Sequence, residues 1–297
     1  RGNGWALIDT TGNRITEPTL KARWKDRRWD LGIFPTEDGV IGMDGKEILG
    51  ERAERLIALY DMEERFSEGL GRVEKEGGSG FIDPFGEWVI EPFGPFCRDF
   101  AGGFAASRVG EKWGFIDRTG KPVILAEWDE VSDFFEGVAG VKRGELWGLI
   151  NQDGKLITDP IWDEVRQFRE GFAAVKRGDL WGFLDRAGKI VAQPKWKRVG
   201  DFSEGFASVQ IEPSAEQLAM VSERRLGNVV FLSFIDQNGK PTFGGQSWPY
   251  EEYRSRTKGF PEFRDGYCWV NSLKESPRNS RGYLSYVWID TLGRQEF

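Results

Sequence analysis

The chain has 297 residues, and 41 Lys or Arg against 48 Asp or Glu give it a formal net charge of −7. It contains no His, which excludes a Ser-His-Asp triad, a Cys-His pair, a His general base and any His metal ligand. The negative charge argues against nucleic acid as a partner, because phosphate binding needs basic patches, and no apolar run is long enough for a transmembrane helix.

A short pattern recurs along the whole chain, and its best copy reads Trp-Gly-Phe-Leu-Asp-x-x-Gly-Lys. The spacing between copies is 34 residues in the middle of the chain and irregular towards both ends. We therefore predict a single repeat domain over residues 1–297, with regular repeats at 66–209 and diverged repeats at 1–65 and 210–297. Matches start at Ala6, Gly39, Gly80, Gly114, Gly148, Gly182, Ser233 and Val287.

The second repeat is lengthened by residues 51–66. Leu56, Leu59 and Tyr60 lie there among several Glu residues, a pattern typical of a short amphipathic helix. We expect this helix to cap or plug the N-terminal repeats.

Three ladders of aromatic residues run through the regular repeats with the same spacing of 34 residues. Stacked repeats must cover such side chains, and each buried Trp removes roughly 150–250 Å² from water. We interpret the ladders as the structural core of the repeats, with an aromatic ligand cage as the alternative. They are Trp113, Trp147 and Trp181; Trp128, Trp162 and Trp196; and Phe134, Phe168 and Phe202, with Phe66 and Phe100 upstream.

Each regular repeat reads as a β-meander. In the best copy, Gly178-Asp179 suits a two-residue hairpin turn that needs positive φ at its first central residue. Asp185-Arg-Ala-Gly188 suits a second turn, in which Asp accepts bonds from the turn amides and Gly adopts the left-handed conformation. The unit therefore supplies three strands, and the sequence leaves room for a fourth around Val199.

The Asp of this second turn is also the tempting candidate for carboxylate-pair catalysis. It recurs in most repeats, whereas a catalytic acid should be singular, and Asn151 replaces it in one copy. The thiols of Cys97 and Cys268 have no His partner. We predict no catalytic residue, no metal ligand and no cofactor. The recurring acids are Asp83, Asp117, Asp185 and Asp236.

Insertions interrupt the C-terminal repeats at three places. After Val209, Ser214 and Gln217 form a capping-box pattern that predicts a helix up to Arg225. Residues 272–281 resemble a polar hairpin tip. Between them, residues 244–263 hold side chains of the types enriched at binding hot spots. We predict a binding role for these, with packing on the sheet as the alternative: Trp248, Tyr250, Tyr253, Arg254 and Arg256.

The charge next to one Trp ladder changes sign along the chain. Acidic pairs follow Trp128 and Trp162, whereas Lys197 and Arg198 follow Trp196. We expect acidic and basic residues to meet along one edge, either as internal ion pairs or as a charged groove for a partner.

These motifs resemble the bacterial WG-repeat (KWG-repeat) family, above all in the Lys/Leu-Trp-Gly segments that end at Gly114, Gly148 and Gly182. The resemblance implies a β-rich repeat scaffold, often one module of a larger bacterial protein, without a catalytic residue. The predicted fold is an all-β repeat protein of seven to eight three-stranded meanders, with one or two short helices in insertions. The short unit favours an open superhelix over a propeller-like ring.

The predicted function is a non-catalytic binding module whose partner is another protein, with a bacterial effector or toxin as the proposed class. The alternatives are a carbohydrate- or cell-wall-binding or processing protein, and a structural segment of a larger surface protein. The compartment stays undetermined, with the bacterial cytoplasm favoured over the periplasm or secretion.

Overall fold

The computed structural model describes residues 34–35, 40–42, 46–61, 66–75, 77–94, 96–220, 229–251, 261–276 and 279–296. The repeat that begins at Ala6 and the start of the next one lie outside these ranges. Within these ranges the fold is all-β, with two short α-helices. Contacts divide the chain into two compact units, residues 1–134 and 135–297, and each is described by itself.

Unit 1 contains three antiparallel sheets, ordered β1-β2-β3, β4-β5-β6 and β10-β9-β8-β7. Helix α1 lies between the first two sheets in sequence, and the short strand β11 ends the unit. The elements are β1 Phe34–Pro35, β2 Val40–Ile41, β3 Glu47–Ile48, α1 Glu51–Asp61, β4 Gly71–Lys75, β5 Gly78–Ile82, β6 Trp88–Phe93, β7 Phe96–Ala101, β8 Phe104–Val109, β9 Lys112–Ile116, β10 Pro122–Trp128 and β11 Glu130–Val131.

In unit 2, strands β12, β13 and β14 are hydrogen-bonded in that order, and three further sheets follow as β15-β16-β17-β18, β19-β20-β21 and β22-β23-β24. The elements are β12 Val138–Arg143, β13 Leu146–Asn151, β14 Leu156–Trp162, β15 Glu164–Val165, β16 Phe172–Arg177, β17 Leu180–Asp185, β18 Ile190–Trp196, β19 Phe206–Ile211, α2 Ala215–Met220, β20 Val229–Asp236, a 3-10 turn Phe243–Gly245, β21 Trp248–Glu251, β22 Tyr267–Ser276, β23 Asn279–Asp290 and β24 Gln295–Glu296.

The predicted meander is confirmed, with one correction to the strand count. The fourth strand that the sequence left room for is present in some repeats, so those sheets have four strands rather than three: β7 and β15 contain Cys97 and Val165, which are equivalent to Val199. At Val199 itself this strand is reduced to an isolated bridge with Val209, the same cross-strand pair that Val165 makes with Val175. Arg177 pairs with Leu180, and the intervening Gly178 has φ of 61°, so the two-residue hairpin turn is as predicted.

The Gly of the Trp-Gly pair is required by a close approach of the neighbouring strand. A Cβ at Gly182 would lie 2.4 Å from the carbonyl oxygen of Ala192 and 2.6 Å from the backbone nitrogen of Pro194. The register between β17 and β18 shifts between Trp181 and Phe183, which brings the β18 backbone over this position. A Cβ at Gly114 or Gly148 would lie similarly close to backbone atoms of the neighbouring strand.

The two Trp ladders meet within each sheet, because Trp181 is the cross-strand partner of Trp196 and Trp147 is that of Trp162. Trp113 and Trp128 pair in the same way. Trp128, Trp162, Trp181 and Trp196 are buried, whereas Trp113 and Trp147 are half-buried.

The Phe ladder packs successive sheets together. Phe202 precedes β19 and packs against Phe172 and Phe183 of the sheet before it, with ring centroids 4.5 and 5.1 Å apart. Phe134 contacts Phe104 and Phe115 at 4.9 and 4.8 Å in unit 1. Phe134, Phe168 and Phe202 are all buried. We call the two aromatic positions that receive such a Phe the phenylalanine seat.

A glutamate clamp, which was not predicted from the sequence, joins neighbouring repeats. Glu136 lies in a tight turn with φ of 51°, and its Oε2 accepts a 2.8 Å bond from the backbone N–H of Gly171 in the next repeat. Glu170 accepts bonds of 2.6 and 2.8 Å from the N–H groups of Glu204 and Gly205. Glu204 in turn accepts a 2.8 Å bond from the N–H of Gly266.

Both predicted helices are present. Helix α1 buries Ala53 and Leu56 against strand residues of unit 1, which include Val40, Val73 and Ile82. Helix α2 begins with the predicted capping box, in which Ser214 and Gln217 exchange hydrogen bonds between side chain and backbone N–H. The predicted continuation of α2 to Arg225 lies outside the described residues.

Candidate functional site

The recurring Asp residues hold turns. The Oδ1 of Asp185 accepts 2.9 Å bonds from the N–H groups of Ala187 and Lys189, and Asn151 makes the same two contacts in its own turn. Burial raises the pKa of Asp236, but bonds from the N–H groups of Lys240 and Asn238 outweigh it, so the pKa lies below its ordinary value. These carboxylates are hydrogen-bond acceptors of the backbone rather than a pair facing a substrate.

The two thiols lie in the core. Cys97 and Cys268 are free cysteines with exposed fractions of 0% and 1%. Burial raises the pKa of both, and that of Cys268 rises to about 12. A thiol with a raised pKa stays protonated at neutral pH and is a poor nucleophile.

The residues predicted to bind a partner in the insertion at 244–263 fall into two groups. Trp248 and Tyr250 lie on β21 with exposed fractions of 3% and 7%, and the Trp248 ring packs 5.6 Å from that of Phe234. Since both side chains are buried, the structure places them in the core and not on a surface. Tyr253, Arg254 and Arg256 lie outside the described residues.

In the repeat where the charge after Trp196 changes sign, the hairpin glycine of the regular repeat is also replaced. Asp163 accepts a 2.6 Å bond from the N–H of Gly178, the hairpin glycine of its own sheet. In the next repeat Lys197 stands in place of Asp163 and lies 3.7 Å from Glu212, which stands in place of Gly178. Lys197 and Glu212 also line a shallow pocket of about 260 Å³ beside Trp196. Glu164 likewise lies 2.6 Å from Lys176, so these described charges form internal ion pairs, the first of the two arrangements expected from the sequence.

Exposed aromatic rings lie together on the C-terminal sheet. Tyr267 and Trp269 of β22 and Trp288 of β23 are 39%, 47% and 37% exposed. Trp269 and Trp288 are cross-strand partners with ring centroids 3.8 Å apart, and Tyr267 lies 6.3 Å from Trp288. We call these three residues the terminal aromatic surface.

Strand alternation places these rings on the sheet face opposite the core. Cys268 and Val270 of β22 are buried against Phe234 and Phe263 of the preceding sheet, so Tyr267 and Trp269 point to the other face. This surface was not predicted from the sequence, because exposed and buried aromatic residues are of the same types and the insertion at 244–263 carried the binding prediction. The available signal was Trp269, which stands where the regular repeat has Ala174.

Neither helix of the described residues is long or apolar enough to cross a bilayer, since α1 has 11 residues and α2 has 6.

Comparison with protein families identifies the repeat. A family model described as "WG containing repeat" matches residues 80–113, 113–147, 147–181 and 181–212. The predicted resemblance is thereby confirmed for the regular repeats. Compared with curated protein sequences, the chain has no match.

Several solved structures are similar to the chain at low identity. Two structures of Kluyveromyces lactis Hsv2 match at 10% identity, one with a TM-score of 0.39 over 86% of this chain and 93% of that chain. The other matches with a TM-score of 0.32 over 65% of this chain, which spans only 59% of that structure. A calcium-binding protein, regucalcin from Agrobacterium tumefaciens, matches at 12% identity and a TM-score of 0.29, over 67% of this chain and 71% of that chain. Likenesses this weak assign no function to the chain.

Proposed function

Because residues 80–212 of this chain are four consecutive WG repeats, we propose that the protein is a non-catalytic repeat module that binds another protein. The terminal aromatic surface is the observation that carries the proposal. Trp and Tyr are the side chains most enriched at binding hot spots, and here three of them are exposed side by side.

The rings of the terminal aromatic surface keep a large apolar area in water. Internal repeats cover the equivalent positions, and Phe183, which corresponds to Trp288, is only 1% exposed. Burial of apolar area on binding is favourable by about 25 cal/mol per Å², before the cost of association is subtracted. A partner that covers Tyr267, Trp269 and Trp288 would recover the contacts that each internal sheet already makes.

Two observations support the non-catalytic part of the proposal. The recurring Asp residues are occupied as turn acceptors, and Asn151 fills that role equally well, which an acid catalyst would not tolerate. Burial keeps the thiols of Cys97 and Cys268 protonated. The WG-repeat resemblance favours a bacterial setting, in which an effector or toxin is the proposed class of partner.

A carbohydrate ligand is the second candidate, and the exposed indole rings of Trp269 and Trp288 favour it. The apolar face of a sugar ring can pack on an exposed indole and remove both from water. The two indoles are tilted by 41° to each other at 3.8 Å, so they present a folded surface and not a flat platform. This geometry suits an inserted protein side chain better than a flat sugar ring.

Affinity capture from a bacterial lysate with wild type and Trp288→Ala as baits tests the proposed function. Leu125→Ala is the matched control, because Leu125 is 77% exposed and belongs to a different sheet, β10-β9-β8-β7. We expect a stoichiometric protein that wild type and Leu125→Ala retain and Trp288→Ala loses.

Two other outcomes would count against the proposal. A fluorescence response to a glycan panel, without a captured protein, would favour the carbohydrate reading. Capture of nothing by any of the three baits, with no glycan response, would favour a structural segment.

A further inference from the structure

We propose that the partner inserts a phenylalanine-bearing turn, Phe-x-Glu-Gly or Phe-x-Asp-Gly, into the terminal aromatic surface, as each repeat of this chain receives the turn of the next. This inference rests on the proposed function and names the chemistry of the partner.

The internal contacts define what the seat receives. Phe202, in the turn before β19, packs on Phe172 and Phe183 at 4.5 and 5.1 Å. Phe263, in the turn before β22, packs on Phe206 and Phe234 at 5.0 and 5.3 Å. The same contact therefore recurs at successive interfaces, although an insertion lies between the second pair of sheets.

The strand register places the terminal aromatic surface at the equivalent seat. Phe172 pairs with Asp185 and Ala174 pairs with Phe183 in one sheet. In the C-terminal sheet, Tyr267 pairs with Asp290 and Trp269 pairs with Trp288. Asp290 holds the same type of turn as Asp185, since it accepts bonds from the N–H groups of Leu292 and Arg294. Tyr267 and Trp288 thus occupy the two seat positions, and Trp269 replaces Ala174 between them.

The exposed fractions show that this seat is open. Phe115, Phe183 and Phe234 are each 1% exposed beneath the Phe that they receive, whereas Trp288 at the equivalent position is 37% exposed. Tyr267 is 39% exposed, while its equivalents Phe104, Phe172 and Phe206 are half-buried. Among the described residues, no Phe packs on Tyr267 or Trp288.

A second feature of the internal interface is also repeated at the C-terminal sheet. Glu170 and Glu204 have φ of 52°, and their carboxylates accept bonds from the N–H groups of Gly205 and Gly266 in the following turns. Asp265 has φ of 53° at the equivalent turn position and is exposed. Within the described ranges, no N–H group donates to the Asp265 carboxylate. The surface therefore offers an apolar seat for the Phe of an inserted turn, and the Asp265 carboxylate can accept a hydrogen bond from the backbone N–H of the Gly in that turn.

A folded second copy of this chain is a poor source for such a turn. The chain has four Phe-x-Glu-Gly segments, which begin at Phe66, Phe134, Phe168 and Phe202, and one Phe-x-Asp-Gly segment at Phe263. Phe134, Phe168, Phe202 and Phe263 are buried, and Phe66 packs against the core of unit 1. A folded copy of residues 1–297 therefore does not supply the turn, and the proposed occupant is a separate protein that carries an exposed turn of this type.

The direct test uses a labelled cyclic peptide of residues 199–211, which contains Phe202-Ser-Glu-Gly205, and fluorescence anisotropy with the whole chain. The matched peptide carries Phe202→Ala. We expect the unmodified peptide to bind and the Phe202→Ala peptide to bind at least tenfold more weakly. Equal binding of the two peptides would overturn the inference.

Two protein variants locate the contact. Trp288→Ala should weaken binding of the peptide at least tenfold. Asp265→Gly should weaken it several-fold while keeping the turn, because Gly favours positive φ and Gly102 already stands at this position in another repeat. Leu125→Ala should bind as wild type does. Unchanged affinity in both Trp288→Ala and Asp265→Gly would place the peptide elsewhere and contradict the assignment.

The remaining outcomes separate this inference from the proposed function. If a captured protein depends on Trp288 but the peptide does not displace it, the inference about the inserted turn is contradicted and the proposed binding function is retained. If no captured protein depends on Trp288, the proposed binding function of the terminal aromatic surface is itself contradicted. Sedimentation that shows a dimer in wild type and a monomer in Trp288→Ala would identify a second copy as the occupant and contradict the inference.

Discussion

The glutamates of the clamp adopt a backbone conformation that L-residues normally avoid. Glu136, Glu170 and Glu204 have φ between 51° and 52°, and the left-handed region costs a non-glycine residue roughly 1–2 kcal/mol. Gly102 adopts φ of 60° at the same turn position, so the turn itself does not need a side chain. We infer that Glu is kept for its carboxylate, which bonds the next repeat.

Glu136→Ala should lower the free energy of unfolding by about 1 kcal/mol, because the partly exposed carboxylate loses its bonds to Gly171 and Arg186. The control is Glu145→Ala, whose side chain is 97% exposed and which should change stability by less than about 0.3 kcal/mol. Urea unfolding of the three proteins at neutral pH measures both values. Equal stabilities of the two variants would contradict the clamp.

The clamp should also make stability depend on pH. Burial raises the pKa of Glu136, but hydrogen bonds from Arg186 and Gly171 outweigh it, so the pKa falls below the ordinary 4.5. A lowered folded pKa means that the clamp stabilises the fold above the unfolded pKa and that this contribution is lost as the pH falls through the folded value. The stability difference between wild type and Glu136→Gln should be full at neutral pH and vanish in strong acid. A difference that grows on acidification would reverse the assigned sign.

At the scale of the strand, the Trp-Gly pair combines two requirements. Trp181 packs opposite Trp196 across the strands, while the missing side chain of Gly182 lets the β18 backbone pass close by. Ser233 stands in place of this Gly in a diverged repeat. There β20 pairs with β21 through residues 229–232 without a register shift, and the Ser233 hydroxyl donates to the Gln246 carbonyl at 2.9 Å. A regular repeat therefore depends on Gly because of its strand register.

Gly182→Ala should destabilise the protein by about 2 kcal/mol or more, because the added Cβ would overlap backbone atoms of Ala192 and Pro194 that cannot rotate away. Gly94→Ala is the matched control, since its Cβ would meet only the Gly77 carbonyl oxygen at 4.0 Å. Thermal unfolding of both variants gives the comparison. Similar melting temperatures would show that β18 can move aside.

At the scale of the whole molecule, each unit taken by itself repeats one interface, in which a sheet receives a Phe from the next. The receiving positions are Phe172 and Phe183 in one sheet and Val138 and Leu149 in another. Such nearest-neighbour packing makes stability a sum of repeat and interface terms. In each of the two units, described separately, the interfaces use the same Phe contact and the same clamp. The C-terminal sheet differs because its aromatic face is exposed.

Phe183→Ala and Trp288→Ala compare the same position in an internal sheet and in the terminal sheet. Phe183→Ala should cost about 3–5 kcal/mol, because it leaves a cavity beneath Phe202. Trp288→Ala should cost about 1–2 kcal/mol, because its ring already lies partly in water. Denaturant unfolding measures both values, and an equal loss would show that the terminal seat is filled within the chain and would remove it as a binding surface.

The 34-residue period, the two turn types, the strand order of the meander and both helix starts could be read from the sequence, because each depends on residues close together in the chain. Gly178 and Asp185 act through their own turns, and Ser214 and Gln217 cap their own helix. The family could be recognised for the same reason, since its signature lies within one hairpin.

Only the tertiary structure decided which face of each strand a neighbouring sheet covers. Trp248 and Tyr250 are of the residue types enriched in binding sites, yet long-range packing buries them. Trp269 and Trp288 are also aromatic and stay exposed. The glutamate clamp links atoms that lie 35 residues apart, so no local pattern revealed it. Local hydrogen bonds are encoded by neighbours in the chain, whereas burial and inter-repeat contacts depend on where distant segments come to lie.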